Sequence, residues 1–557
     1  MLKNLFPVFE KKNLGADFSS GLVVFLVAIP LCLGIALASK APLMSGIVAG
    51  MVGGIVVGLF GGSALGVSGP AAGLVAIMLD ARDSFAPEDF RLEDGTLPPD
   101  LTGPQMMYIF EMILLATLIA GVIQVLMGFL KAGVLAYYIP TAVIKGMLAA
   151  IGVIIILKQI PHAVGYDVDF EGDMAFLQPD GENTFSEILE ALTHVQFGAV
   201  ALFILALGVL ILWTMPFFKK RPIFRVISGP LVAVLVGIVG HLVYLNFIPD
   251  YLITDSGMVN LSTDNLTFEW IVLPDFTKIG NPDVWKYAVI IAGVASVESL
   301  LCAEATDKMD PHKRITPMNK ELRAQGYANI VSGLIGGLPI TQVVVRSSAN
   351  VQSGGQTRWA AIFHGIMILL AILILAPLLN LIPKAVLAAI LIIVGYRLIS
   401  PKVIKLMWSK GLTQFIPFAV TIVAVMVTDL LTGVGIGLAV GAIYILISNF
   451  RVPYTYTLKN EKDRKVITLK LAEMVSFLNK GNILSTLREV PDGSKVVVDA
   501  RATYHIDPDV QEVLNDFKTS SVERGIEFEI IKPNDGMDPT KESRRLRHEL
   551  HTLREEG

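Results

Sequence analysis

The sequence predicts an α-helical polytopic membrane protein of about fourteen membrane segments, followed by a small soluble α/β domain. Three observations carry this. Of the 557 residues 53% are hydrophobic and 17% charged, and the mean hydropathy is +0.62, far more apolar than a soluble chain of that length. Apolar windows long enough to span a bilayer recur as far as Phe450. Beyond Phe450 the composition becomes that of a soluble domain. The net charge of -4 decides little, because in a membrane protein the positions of the charges carry the information. Both cysteines, Cys32 and Cys302, fall in apolar segments, which leaves no disulfide framework and no Cys metal site. Met1 to Asp17 carries lysines but no small-residue cleavage site follows, so Gly21 onward reads as a retained first span.

Windows near 18 to 39, 42 to 60, 105 to 129, 137 to 157, 195 to 214, 226 to 247, 286 to 306, 324 to 337, 359 to 377 and 380 to 398 each approach the roughly 20 residues of a crossing. Two further pieces, 70 to 80 and 346 to 353, read as half-length helices. Residues 413 to 449 read as a tight pair broken at Thr432-Gly433. Orientation comes from the basic residues Lys131, Lys219, Lys220, Arg221, Lys308, Lys313, Arg314, Lys320, Arg358, Lys402, Lys405 and Lys410. All face the cytoplasm if the N-terminus does, and then both termini are cytoplasmic in a multi-pass inner (plasma) membrane protein. The opposite loops are acidic, with Asp83, Glu88, Asp89, Glu93 and Asp94 in one and Asp167, Asp169, Glu171 and Asp173 in the next. This alternation requires each half helix to count as a crossing.

The chain is organised around Gly336 to Gly355, which lies between two long apolar runs yet holds a glycine pair, a proline, a β-branched run, an arginine and small polar residues. The β-branched Val343 to Val345 favours a short extended piece, and Ser347 and Ser348 suit a helix start. Irregular backbone at membrane depth is tolerated only where protein buries it or it lines a cavity. Arg346 there is a functional candidate, because a cation in hydrocarbon is costly without a partner or water. Gly61 to Gly73 is its counterpart in the first half, with Pro70 suited to a helix's first turn. Interrupted segments at corresponding places in two halves point to a transporter of inverted repeats. Two helix N-termini facing each other attract an anion. The glycines at 46, 50, 54, 58 and 62, and at 433, 437 and 441, read as helix packing.

Glu298 lies near the middle of its span, with Glu304 and Asp307 toward its cytoplasmic end. An intramembrane carboxylate is a coupling-ion or proton site by default, the competing reading being a structural partner of Arg346. His162, His194, His241 and His364 read as packing or interfacial residues. No phosphate loop, metal cluster or nucleophile and base pair is present, so the chain is not an enzyme and calls for no cofactor and no nucleic acid. In the soluble part, Val466 to Leu471, Lys495 to Asp499 and Glu527 to Ile531 read as strands and Pro508 to Ser521 as an amphipathic helix, giving a mainly parallel sheet. The domains are therefore 1-450 for transport, 451-535 for the soluble domain and 536-557 for a charged tail.

Ala28-Ile29-Pro30, Val67-Ser68-Gly69-Pro70, Ile139 to Gly146, Val297-Glu298-Ser299 and Arg346-Ser347-Ser348 through Gly354-Gly355, in that order, resemble the SulP anion transporters. The likeness runs from about Leu14 to Asn534. It implies fourteen membrane segments as two inverted seven-segment repeats, about 14-247 and 284-450, with core and gate domains, a cytoplasmic STAS domain and a homodimer. It also implies secondary active transport of a small inorganic anion, bicarbonate or sulfate, from the bilayer-embedded core. An anion channel, a non-transporting anion sensor and nucleobase transport are the alternatives.

Carried over by motif, the resemblance places the substrate between the helix starts at Ala71 and Ala72 and at Val345, Arg346 and Ser347, closed by Leu31 and Ile35. Leu31 stands where many relatives have Gln and Val345 where many have Ser, so backbone N–H groups and Arg346 are left to hold the anion. Glu298 and Cys302 are the expected ion-coupling residues, for H+ or Na+. Sodium-coupled relatives have Asp and a hydroxyl at these places, and a thiol is a poor ligand for a hard cation. In the soluble domain, Ile506-Asp507-Pro508-Asp509 offers no hydroxyl where related STAS proteins accept phosphate, which implies a role in assembly or trafficking.

Overall fold

The computed structural model describes residues 13–91, 101–166, 184–215, 229–254, 257–259, 271–371, 380–451, 454–461 and 464–531. They form two compact units divided after Ala439, inside the last apolar helix. The acidic residues 93–94 and 167–173, the basic cluster 219–221 and the tail 536–557 lie outside the described residues.

The first unit is helical. Its elements are α1 (Leu14–Ala38), α2 (Leu43–Phe60), β1 (Ser68–Pro70), α3 (Val75–Phe85), α4 (Gly103–Phe129), α5 (Thr141–Val164), α6 (Thr184–Ala191), α7 (Phe197–Thr214) and α8 (Gly229–Phe247). Then follow α9 (Pro282–Met309), α10 (Met318–Ile335), β2 (Ile340–Gln342), α11 (Val344–Ser353), α12 (Trp359–Leu370), α13 (Lys384–Leu398), α14 (Pro401–Ser409), α15 (Leu412–Val427) and α16 (Leu430–Arg451). Among the described residues, seven helical stretches are long and apolar enough to cross a membrane, with α13 and α14 counted together, and four shorter helices are also apolar. Local chemistry sets the ends. Asn281 accepts the Asp283 N–H ahead of Pro282 at the start of α9, and Thr102 forms a capping box with Gln105 at the start of α4. Gly336 (φ 89°) and Gly354 (φ 91°) end α10 and α11 in the left-handed region. The glycine stripe of α2 does pack helices: a Cβ at Gly54 would lie 2.8 Å from the Ala361 carbonyl and from Gly365 of α12.

The two halves meet where β1 and β2 pair antiparallel, Ser68 opposite Gln342 and Pro70 opposite Ile340. Three local expectations are corrected there. Pro70 lies in the strand rather than in a helical turn, the extended piece ends at Val343, and α11 starts before Ser347. Strand pairing wins because the Val343 N–H reaches the Val67 carbonyl at 3.0 Å. Ser347 caps nothing: its hydroxyl donates to the Val343 carbonyl at 2.8 Å and accepts the Val67 N–H at 3.0 Å. A fourth correction concerns the tight pair, which breaks at Thr428-Asp429 rather than at Thr432-Gly433. Asp429 accepts the N–H groups of Leu431 and Thr432 at 2.9 and 3.0 Å and so starts α16. Gly433 instead sits against the Val425 backbone.

The second unit contains β3 (Tyr454–Glu461), β4 (Arg464–Leu471), β5 (Met474–Val475), α17 (Lys480–Arg488), β6 (Lys495–Asp499), β7 (His505–Ile506), α18 (Pro508–Glu523) and β8 (Glu527–Ile531). Its four-stranded sheet has the order β3-β4-β6-β8, parallel except for β3. Ile467, Leu469, Val496, Val498, Val510 and Leu514 form the buried core. Asp507 caps α18 by accepting the Asp509 N–H at 3.1 Å. The sequence reading missed β3, whose outward and inward residues are both exposed, and the nine-residue α17.

Candidate functional site

The crossing of β1 and β2 brings the starts of two half helices together. Ala71 is extended (φ −125°, ψ 139°) before the turn Ala72–Leu74 that leads into α3. Val343 is extended (φ −112°, ψ 125°) before α11. The first N–H groups of a helix have no partner within it, so each start presents donors and about half a positive charge, although the Val344 N–H is already met by the Cys302 sulfur and the Leu74 N–H by the Ala71 carbonyl. Between them lies a cavity of about 90 Å³, several times the roughly 10–15 Å³ that one water needs. Ala71, Ala72, Gly73 and Val343 to Val345 line it on the crossing side. Glu298 and Cys302 line it from α9, and the far wall is apolar, with Ile151 and Ile154 of α5, Val425 of α15 and Leu430 of α16.

Glu298 and Cys302 are one helical turn apart and face the two helix starts. Thr341 hydrogen-bonds the Glu298 carboxyl, and the Val344 N–H meets the Cys302 sulfur. A Cβ on Gly73 would lie 3.1 Å from both Glu298 oxygens. The glycine therefore lets the carboxyl sit on the start of the α3 segment. Oε2 of Glu298 has no hydrogen-bond partner. Glu298 and Arg346 form no ion pair, so the reading of Glu298 as the structural partner of Arg346 is not met.

Of the residues expected at the site, Ala71, Ala72, Val345, Glu298 and Cys302 share this cavity, while Arg346, Ser347, Leu31 and Ile35 do not line it. Arg346 is fully buried on the other side of the crossing. Its Nη2 donates to the Cys32 sulfur at 3.2 Å, and Nε and Nη1 have no partner. The guanidinium fills a slot between two glycines: a Cβ on Gly69 would overlap Nη1, and one on Gly50 would come within 3.8 Å of it. Cys32 takes the position on α1 that faces Arg346, which turns Leu31 and Ile35 into the surrounding apolar packing. Ser347 is occupied with Val67 and Val343, as above.

The slot is testable. Gly69→Ala is expected to lower stability by about 1–3 kcal/mol, the usual cost of overpacking, read as a lower Tm. Combining it with Arg346→Met should recover most of the loss, since the two changes share one contact. Additive losses would show that the guanidinium does not occupy the slot.

Sequence reasoning missed Gly73 and the apolar wall. It also missed a polar stripe on α10 whose signal was available: Glu321, Gln325, Asn329 and Ser332 recur at helical spacing in a membrane-length helix and are all buried.

Comparison with known proteins places the chain in a family and a fold. YvdB of Bacillus subtilis (strain 168) is 29% identical over 443 residues, 79% of this chain and 75% of YvdB. The bicarbonate transporter BicA of Picosynechococcus sp. is 28% identical over 464 residues, 82% of this chain and 75% of BicA. The structure of SLC26A9 superimposes with a TM-score of 0.63, at 16% identity and covering 94% of this chain and 85% of that one, which speaks for a shared fold. The sulfate permease family matches residues 14–424. With helices that span a membrane, a crossing of two half helices and this match over most of its length, the chain belongs to the sulfate permease family, whose members are transporters and not enzymes.

Proposed function

We propose that this protein is a secondary active transporter of a small inorganic anion, bicarbonate or sulfate, driven by the proton gradient. The observation that carries the reading is the cavity between two half-helix starts, with an uncompensated buried arginine behind it. Free N–H groups bind an anion of either geometry without needing side-chain hydroxyls. Glu298 supplies the coupling. Ionised, its carboxylate competes with the anion for the start of the α3 segment; protonated, it leaves both starts to the substrate. Anion and proton then bind together, and movement of the crossing and its half helices against the wall of α5, α15 and α16 exposes them to the other side. Sodium is the poorer coupling ion, because Cys302 offers a soft sulfur where a hard cation needs oxygen. The protein would work as a homodimer with both termini cytoplasmic, and residues 451-535 as a STAS domain serving assembly or trafficking, with Asp509 a fixed charge at its helix start.

A thermal-shift series on the purified protein tests the substrate class. A ligand that binds only the folded state raises stability by RT ln(1 + [L]/Kd). Sulfate at mildly acidic pH, or bicarbonate near neutral pH where it remains an anion, should raise Tm in a saturable manner, and uracil should not. A shift with uracil alone would favour nucleobase transport and contradict the reading.

A further inference from the structure

The stripe on α10 contacts both strands of the crossing. Asn329, fully buried, accepts the Ile340 N–H at 2.6 Å and donates through Nδ2 to the Ile340 carbonyl at 3.0 Å and to Gln124 Oε1 at 2.7 Å. Gln325 donates to Ser68 Oγ of β1 at 2.7 Å and to Glu321 at 3.0 Å. The other oxygen of Glu321 accepts the N–H groups of Gly62 and Ser63 at 2.7 and 2.9 Å. Ser332 donates to the Leu338 carbonyl at 2.7 Å.

The strand register explains why these side chains are needed. In an antiparallel pair, successive residues alternate between facing the partner strand and facing away from it. Ile340 lies opposite Pro70, which has no N–H to give, and the N–H and carbonyl of Ile340 both point outward. So does the Gln342 N–H, which reaches Ser299 Oγ on α9 at 3.1 Å. In a two-stranded crossing no third strand exists to take these groups, and a buried unpaired backbone group is costly. Asn329 does what a third strand would do, while Gln325, one turn earlier, fixes β1 from the same helix. A single rigid helix thereby sets the offset between the two strands.

We propose that Asn329, with Gln325, is a positioning residue for the anion: it sets the spacing of the two half-helix starts that line the cavity without touching the substrate. The inference rests on the function proposed above. Two residues separate Ile340 from Val343, the extended cap of α11, so a shift of the strand moves the N–H groups of the helix start directly. Spacing acts on affinity, because each start binds best when both can reach the same anion.

The test uses the full chain in proteoliposomes with labelled sulfate and bicarbonate, together with hydrogen exchange over residues 338–346. Asn329→Leu is expected to raise KM about tenfold, in line with loss of a buried hydrogen-bond partner, with kcat changed by less than about twofold, and to speed exchange in 338–346. Asn329→Gln, which keeps an amide oxygen for the Ile340 N–H and an amide donor for the Ile340 carbonyl and Gln124, should recover most of the KM. Asn329→Ser serves if the leucine variant does not fold. An unchanged KM with lowered kcat or lowered yield of folded protein would overturn the proposal, as would a failure of glutamine to recover KM. If the parent protein moves neither anion, the transport reading fails and exchange decides: unchanged exchange in Asn329→Leu also removes Asn329 from the crossing, whereas faster exchange keeps it there.

Discussion

Arg346→Met is expected to leave the protein as stable as the parent or more so, and to weaken anion binding at least tenfold, on the order of 1.4 kcal/mol or more. The two halves of this result have one cause. Arg346 is fully buried, has no carboxylate within ion-pair distance among the described residues, and leaves Nε and Nη1 unpaired. A buried cation in that state costs folding free energy. Its place in the first turn of α11 adds to the cost, because the helix start is already positive. Methionine keeps most of the stem's packing and removes the charge. In the proposed transporter the charge would instead serve an anion in the cavity next to Val345, which its field would reach through a low dielectric. The sequence reading left Arg346, with backbone N–H groups, to hold the anion; the structure buries its side chain outside the cavity lining, so the proposal is action through its field rather than by contact. Thermal unfolding and anion titration on one preparation decide the matter. A large fall in Tm would make the arginine structural, and an unchanged affinity would remove it from substrate binding.

Glu298→Gln is expected to abolish concentrative uptake and its dependence on pH, while exchange of internal for external anion continues. Glutamine keeps the shape of the carboxyl at the cavity wall but cannot carry a proton or compete as an anion for the start of the α3 segment. In the parent, uptake should rise as the outside is made more acidic, because the carboxyl must take a proton before anion and proton can cross together. In the variant the anion binds at any pH and dissipates its own gradient. Uptake by Glu298→Gln that still rises with an imposed proton gradient would place coupling elsewhere.

Much of this architecture was legible in the sequence, and the parts that were not share a reason. Span lengths and the two half helices follow from local composition, and so does the pairing of Gly61–Gly73 with Gly336–Gly355. Those signals lie within windows of about twenty residues. Which residue of each interrupted segment enters the strand is set by register against a partner far away in the chain. Pro70, Val343 and Ser347 were therefore each displaced by a few positions. Arg346 shows the same limit: its place in the first turn of α11 was close to that expected, but only packing against Gly69, Gly50 and Cys32 decides which way its side chain turns. The apolar wall of Ile151, Ile154, Val425 and Leu430 has no local signature, since any membrane helix carries such residues. The polar stripe of α10 did have one, and in a membrane helix four buried polar residues on one face imply backbone that needs partners.

Uptake into proteoliposomes under an imposed proton gradient, with labelled sulfate and bicarbonate in parallel, tests the central claim most directly. Secondary active transport predicts saturable uptake of sulfate to an internal concentration above the external one, or of bicarbonate beyond the CO2-derived accumulation of protein-free vesicles, collapsing when the gradient is removed. Uptake that never exceeds the external concentration would identify a channel, and no uptake of either anion would contradict transport altogether.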